Sequence, residues 1–383
     1  MKQRSAPRRP AGTAAKAQAL GFVPPYPPSW INRFVDGVDR LPGPAWTYYA
    51  GAAGLLTYLQ LTIQWWAGTY PRGSVDWFNV LVAVTAPYLL GLMHYLIRTS
   101  GGSFDEFRPA LRATQTEAEA LRYRMTVLPA RPVVIVAAAI TAACSALVLL
   151  SYLLDKVGWH VGTDILGGNV FRIGPQVFHI APTAPSIGLA TVILITSWWA
   201  ISTYAYLMVR QLRLISSIYL HNTDIRLFRL GPLYSFSRHT LRSALGLLLL
   251  AYGLIATAPE VLSAPLGLGS WVLLVAGAVA TFLGPLLGIH RALVREKTRM
   301  LNETGARFEA GVAQLHHRMD DGRLERMDDL SKALASLEIE RASLERVPTW
   351  PWERGTLRSL VAALLLPLIL WLAQAFLEKS LGA

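Results

Sequence analysis

A 383-residue chain that is 53% hydrophobic and 16% charged, with a mean hydropathy of +0.36, lies outside the composition of soluble domains and within that of multipass membrane proteins. Its net charge of +12 would raise nucleic acid as a partner in a soluble protein, but membrane proteins concentrate Lys and Arg on their cytoplasmic side, so none is expected. The single cysteine, Cys144, excludes an internal disulfide, a cysteine zinc cluster and a redox pair.

The first twenty residues are basic and rich in small side chains, with no apolar core in signal-peptide range, so the expectation is a cytoplasmic tail. Proline-rich Phe22–Trp30 reads as extended. Ser29 is placed to cap a short amphipathic helix whose Trp30, Ile31, Phe34, Val35 and Val38 share a face suited to the inner membrane surface. Tail and helix form the first unit, residues 1–43.

Seven apolar stretches follow, each near the roughly 20 residues that a helix needs to cross a bilayer. They lie at Pro44–Trp66, Trp77–Ile97, Pro132–Leu154, Ser186–Val209, Leu241–Ala258, Ser270–Ile289 and Leu357–Leu377. The fold class expected is all-α: a six-helix bundle over 44–289, a cytoplasmic helical hairpin over 290–352, and a seventh span within 353–383. Arginines crowd alternate loops, as at Arg98, Arg108, Arg112, Arg122, Arg124 and Arg131, and again at Arg210, Arg213, Arg226, Arg229, Arg238 and Arg242. The intervening loops hold only Arg72, Lys156 and Arg172, which predicts a cytoplasmic N-terminus and an extracytoplasmic C-terminus in the inner (plasma) membrane. Trp65, Trp66 and Trp77 then fall at the outer boundary, and Trp350 and Trp352 at the inner one.

In the outer loop 155–185, alternating Val170, Arg172 and Gln176, Phe178 with turn residues Gly167-Gly168 and Gly174-Pro175 predict a small hairpin. Spans four and six keep helical spacing beyond the membrane, the former to Tyr219 and the latter through Leu293, Met300, Phe308, Val312, Leu315 and Met319. Asp320-Asp321-Gly322 breaks the second of these. Met327, Leu330, Leu334, Leu337 and Leu344 then give a heptad-like stripe, so an antiparallel hairpin is expected, with Leu315, Leu330, Leu334, Leu337 and Leu344 forming a seam against its mate or a second subunit. Val347–Trp352 turns the chain back toward the membrane.

Motifs for catalysis and cofactors are missing: there is no glycine-rich phosphate loop, nucleophile elbow or His-Glu-x-x-His, so neither enzyme activity nor a cofactor or metal is expected. The span centres lack Asp, Glu, Lys and Arg, which argues against an ion-coupled transporter. His94 reads as a hydrogen-bonded structural histidine, and His316-His317 as a solvated hairpin tip. Trp198, Trp199 and Tyr204 form an aromatic group in span four that either lines a pocket for an unknown small-molecule ligand or simply packs. In the last span Pro367, Trp371, Gln374 and Glu378 share one face. A ring of such helices would admit hydrated cations. In a single-copy helix Gln374 would instead bond a neighbour.

This layout resembles the seven-transmembrane ion channel superfamily of insect odorant and gustatory receptors. The likeness lies in the spans four and six extended into the cytoplasm, the helical segment before span seven and the short C-terminal span. The family's gustatory members end in Thr-Tyr, five hydrophobic residues and Gln-Phe; the corresponding stretch here is Pro367–Phe376, with Gln374 at the glutamine position. The Thr-Tyr is absent and Phe376 is displaced by one, so the likeness is architectural. The resemblance implies a homotetramer assembled through the cytoplasmic helices, with Pro367, Trp371, Gln374 and Glu378 facing a central cation pore. The segment Leu227–Phe236 and the Trp350-Pro-Trp352 turn also resemble those of uncharacterised bacterial multipass proteins. The competing reading is a membrane-anchored scaffold or signalling protein that acts through its hairpin. A facilitative carrier ranks last, because no internal repeat or pair of broken helices is present.

Overall fold

Ten helices and one small sheet make up the described residues of a computed structural model: 23–68, 71–156, 165–166, 170–173, 176–179, 184–257, 265–320, 327–353 and 355–366. The helices are α1 (Trp30–Val38), α2 (Ala45–Trp66), α3 (Trp77–Phe107), α4 (Gln115–Thr126), α5 (Ala130–Lys156), α6 (Ala184–His221), α7 (Tyr234–Thr257), α8 (Pro265–Asp320), α9 (Met327–Arg346) and α10 (Gly355–Leu366). Five of them, α3, α5, α6, α7 and α8, are long and apolar enough to cross a membrane. The chain is thus a helical membrane protein.

Seven stretches reduce to five by this measure for two reasons. α2 has the length, but Thr47, Gln60, Thr62 and Gln64 dilute its apolar character, and Gln60 and Gln64 turn into the protein. α10 is described only as far as Leu366, and the rest of the last expected span lies outside the described residues.

Why the long helices continue is visible residue by residue. Asp76 caps α3, its carboxylate accepting from the amides of Phe78 (3.0 Å) and Asn79 (3.3 Å). The expected end at Ile97 is passed by ten residues, through Gly101-Gly102. Glycine inside a helix costs about 1 kcal/mol relative to alanine. Here Gly101 faces α4, where a Cβ would make an ordinary contact with Thr126 Cγ2 at 3.4 Å. Buried Phe104 and Phe107 fasten the added turns, Phe107 stacking on Phe236 at 4.7 Å. α6 runs unbroken to His221, and α8 as far as Asp320, beyond which the expected Asp-Asp-Gly break lies outside the described residues. At 1.5 Å per residue the 56 residues of α8 reach roughly 84 Å, far beyond a bilayer core of about 30 Å.

Strands β1 (Ile165–Leu166), β2 (Val170–Ile173) and β3 (Gln176–His179) pair antiparallel in chain order, with Arg172 opposite Val177. The hairpin expected in this loop is therefore present, with one strand more than anticipated.

Two buried clusters hold the bundle. One joins α6, α7, α8, the end of α3 and the start of α10 around Phe104, Phe107, Tyr219, Phe236, Phe282 and Leu286. The other gathers α1, α3 and α6 around Ile31, Leu89, Met93, Leu96 and Leu207. In the latter, Ile31 and Val35 of the α1 apolar face pack on the matching apolar stripe of α3, while Phe34 stays 40% exposed.

The α3–α7 crossing depends on Gly246. A Cβ there would stand 2.5 Å from Leu92 Cδ2 and 2.8 Å from Cδ1, while the Tyr88 hydroxyl donates to the Gly246 carbonyl at 2.7 Å. Gly246→Ala is expected to destabilise the protein by up to about 2 kcal/mol, overpacking against Leu92 outweighing the roughly 1 kcal/mol that alanine gains in a helix. Thermal unfolding of the purified protein should show a lowered midpoint, whereas Gly277→Ala, where a Cβ meets nothing within 4 Å, should not.

Candidate functional site

Three constellations at the hairpin side of the bundle carry most of its polar chemistry. The first ties down α1. Ser29 Oγ donates to Asn32 Oδ1 (2.8 Å), and the same oxygen accepts from the amide of Leu128 (2.9 Å). Asn32 Nδ2 donates to the Thr126 carbonyl (2.9 Å). A buried amide thus satisfies two backbone groups in the connection between α4 and α5. Nearby, Arg98 pairs with Asp36 at 2.7 Å and with Asp39. His94 completes the chain, Nε2 meeting Asp39 Oδ1 at 3.0 Å and Nδ1 meeting the Tyr49 hydroxyl at 2.8 Å. The carboxylate accepts only, so Nε2 carries the proton and Nδ1 accepts from Tyr49. The hydrogen-bonded histidine expected from the sequence finds its partners in this line.

Beside it, Tyr26 donates to the Val127 carbonyl (2.9 Å) and accepts from Arg210 (2.6 Å), and the Tyr123 hydroxyl donates to the Tyr26 carbonyl (2.7 Å). Burial pushes the Tyr26 hydroxyl pKa up despite the guanidinium, and pushes Tyr123 up to about 12, so both remain donors. α4 itself is opened by a capping box, Thr114 to Glu117, whose hydrogen bonds hold the Glu117 carboxyl below its ordinary value.

The second constellation is a buried polar strip between α6 and α7. Gln211 donates to the Met125 carbonyl (3.3 Å) and accepts from His239 Nε2 (3.2 Å), leaving His239 Nδ1 without a partner. Tyr204 is 4% exposed and donates to the Ser243 carbonyl (3.3 Å). Trp199 instead faces Trp30 of α1, ring centroids 6.3 Å apart. Trp198 is half-buried one residue earlier, about 100° around the helix. Trp199 and Tyr204 therefore serve different neighbours.

The third lies under α10 and joins three segments of chain. Phe282 stacks on Trp352 (5.7 Å, 26°), Trp352 on Trp350 (4.3 Å, 16°), and Trp350 on His290 (3.8 Å, 13°). His290 Nδ1 meets the Thr349 carbonyl at 3.0 Å, so the ring donates there. Lys297 Nζ donates to the carbonyls of Glu345 (2.8 Å) and Val347 (2.9 Å), placing a cation on the C-terminus of α9. Trp350 and Trp352 thus stack their ring faces on the chain itself. Sequence reading missed His290 and Lys297; their spacing with Leu293 and Phe282 along one side of α8 is the signal that could have found them.

The hairpin seam is antiparallel. Lys297 lies level with Glu345, Thr304 with Glu340, and Gly311 with Leu334, whose Cδ2 would be 2.8 Å from a Cβ at Gly311. Leu344 is buried, and Leu315, Leu330, Leu334 and Leu337 are half-buried within the single chain. Pro367, Trp371, Gln374 and Glu378 lie outside the described residues. Among the described residues no group of three His, Cys, Asp or Glu side chains is gathered as a metal site would need. No known protein family, curated protein or solved structure matches the chain.

Proposed function

We propose that this chain is a ligand-gated cation channel of the inner membrane, in which α10 and its continuation line the pore of a homotetramer. The observation that supports this reading is the mechanical path into α10. One unbroken helix, α8, leaves the bundle, pairs with α9, and receives the returning chain in the Phe282–Trp352–Trp350–His290 stack. α10 starts three residues after Trp352, and Leu360 is buried in the same cluster as Phe282. A movement of the hairpin therefore reaches the last helix through stacked rings rather than through a slack linker. In this reading the N-terminus is cytoplasmic, the C-terminus extracytoplasmic, and the half-buried Leu315, Leu330, Leu334 and Leu337 serve the subunit contact, while Leu344 is taken up within its own chain. Gln374 and Glu378 face the permeating ions, and the ligand enters near half-buried Trp198.

A cysteine crosslinking ladder tests it. With Cys144→Ser as background, a single cysteine at Ala375 or Leu377 should crosslink in native membranes up to four subunits. Gln374→Ala and Glu378→Gln should then change conductance or ion preference without changing that ladder. The second reading, a membrane-anchored scaffold, draws on the outward side of the hairpin. Ile339 is 67% exposed there among surface charges paired within the helix, such as Lys332–Asp328 and Arg341–Glu345. Crosslinking at neither position would give the scaffold the lead.

A further inference from the structure

A groove of about 430 Å³ lies between α6 and α8 on the hairpin side of the bundle. Gly284 and Pro285 form one wall, and Leu212 and Leu220 frame the other. Its polar groups all come from α6: Arg213, Ser216, Ser217 and His221. None of the residues lining it is acidic, and Arg213 makes no hydrogen bond or ion pair among the described residues.

The height of this arginine matters. α6 and α7 are antiparallel, as the Tyr204–Ser243, Gln211–His239 and Tyr219–Leu233 contacts require, and α8 returns parallel to α6. A Cβ on Gly288 would stand 3.6 Å from Leu220 Cδ2, so these two positions are level. Seven residues earlier on α6, at 1.5 Å each, Arg213 sits about 10 Å farther into the bundle. That is the level of the apolar Thr281–Gly284 segment of α8. An exposed guanidinium without a counter-ion, set beside an apolar wall, suits an anion that carries apolar chains.

We propose that this groove is a binding site for an anionic phospholipid of the leaflet on the hairpin side. Arg213 takes the phosphate, Ser216 and Ser217 donate to its oxygens, and the acyl-glycerol part lies along Gly284, Pro285 and Leu212. The positive lining without a carboxylate favours a net-negative headgroup over a zwitterionic one, whose cation finds no partner. His221 Nδ1 donates to the Ser217 carbonyl at 3.2 Å, so its Nε2 is an acceptor suited to a headgroup hydroxyl rather than to the phosphate. The proposal rests only on the chain being a membrane protein, and stands whether or not it conducts ions.

Native mass spectrometry of the full-length protein in detergent tests it, with phosphatidylglycerol, phosphatidylcholine and inorganic phosphate as separate probes. Retention of phosphatidylglycerol should exceed that of phosphatidylcholine, and Arg213→Gln should lower it about fivefold, the worth of one basic residue against an anionic lipid surface. Gly284→Leu should also lower it, because a Cβ there meets no protein atom within 4 Å and the added side chain fills the groove. Arg295→Gln, on an exposed face of α8, should leave it unchanged. A photoreactive phosphatidylglycerol should label wild-type peptides around 212–221 and 284–285, which keeps the test open if a variant misfolds. Equal retention of both lipids, an unaffected Arg213→Gln, labelling elsewhere, or displacement by millimolar inorganic phosphate would each overturn the proposal.

Discussion

Phe282→Ala is expected to destabilise the protein by about 3–5 kcal/mol, the range for truncating a buried aromatic side chain. Phe282 is fully buried and holds two things at once: the cluster of α6, α7 and α8, and the stack through Trp352 to Trp350 and His290. Removing it opens a cavity and unseats the first ring of the stack, each stacked pair adding roughly 0.5–1.5 kcal/mol beyond its buried area. Unfolding in mixed micelles should show the loss, and hydrogen exchange should rise in 347–366, the segment that the stack fastens. Phe308→Ala, at 36% exposure on the solvent side of α8, should change stability by no more than about 0.5 kcal/mol. Equal effects of the two substitutions would mean that the stack holds nothing in place.

That prediction could not have been made from the sequence. The two tryptophans were visible as a Trp-Pro-Trp turn, but their partners stand some sixty residues earlier on α8, and no local period links the two segments. What the sequence does disclose is anything written in one helix. The extension of α6 past Val209 and of α8 past Ile289 followed from apolar spacing, while Asp321-Gly322, the expected break, lies outside the described residues. The strands around Gly174-Pro175 followed from alternation. α3 outran its expected end because packing by Phe104, Phe107 and α4 offsets the cost of Gly101-Gly102, a balance invisible to propensity. α4 had a signal that went unused: Thr114-x-x-Glu117 is a capping box that marks its start.

The candidate sites divide in the same way. Leu330, Leu334, Leu337 and Leu344 were legible as one face because a heptad is local, and Leu344 is indeed buried. Whether that face has a second subunit to meet is a property of an assembly, which no single-chain pattern encodes. Trp199 and Tyr204 looked like neighbours in a pocket because they are close in sequence. On a helix the five intervening steps turn them toward different partners, Trp30 and Ser243.

The seat of α1 includes a polar side chain that its apolar pattern does not mark, and that side chain carries the second large effect. Phe34 of the apolar face is 40% exposed, while Asn32 is 6% exposed. Its amide bonds the Leu128 N–H and the Thr126 carbonyl, both on buried residues, so α1 is keyed to the α4–α5 connection. Asn32→Ala leaves both backbone groups buried and unpaired, at about 1–3 kcal/mol each. The expected loss is therefore about 2–6 kcal/mol, larger than for deleting the exposed ion pair of Arg98 with Asp36. Asn32→Asp separates the causes. It keeps the acceptor for Leu128 but loses the donor to Thr126, and a charge now faces that carbonyl, so it too should destabilise. Thermal unfolding and protease cleavage near residue 40 report both variants. Wild-type stability in Asn32→Ala would mean that α1 is held by its apolar contacts alone, and that the buried amide is incidental to its seat.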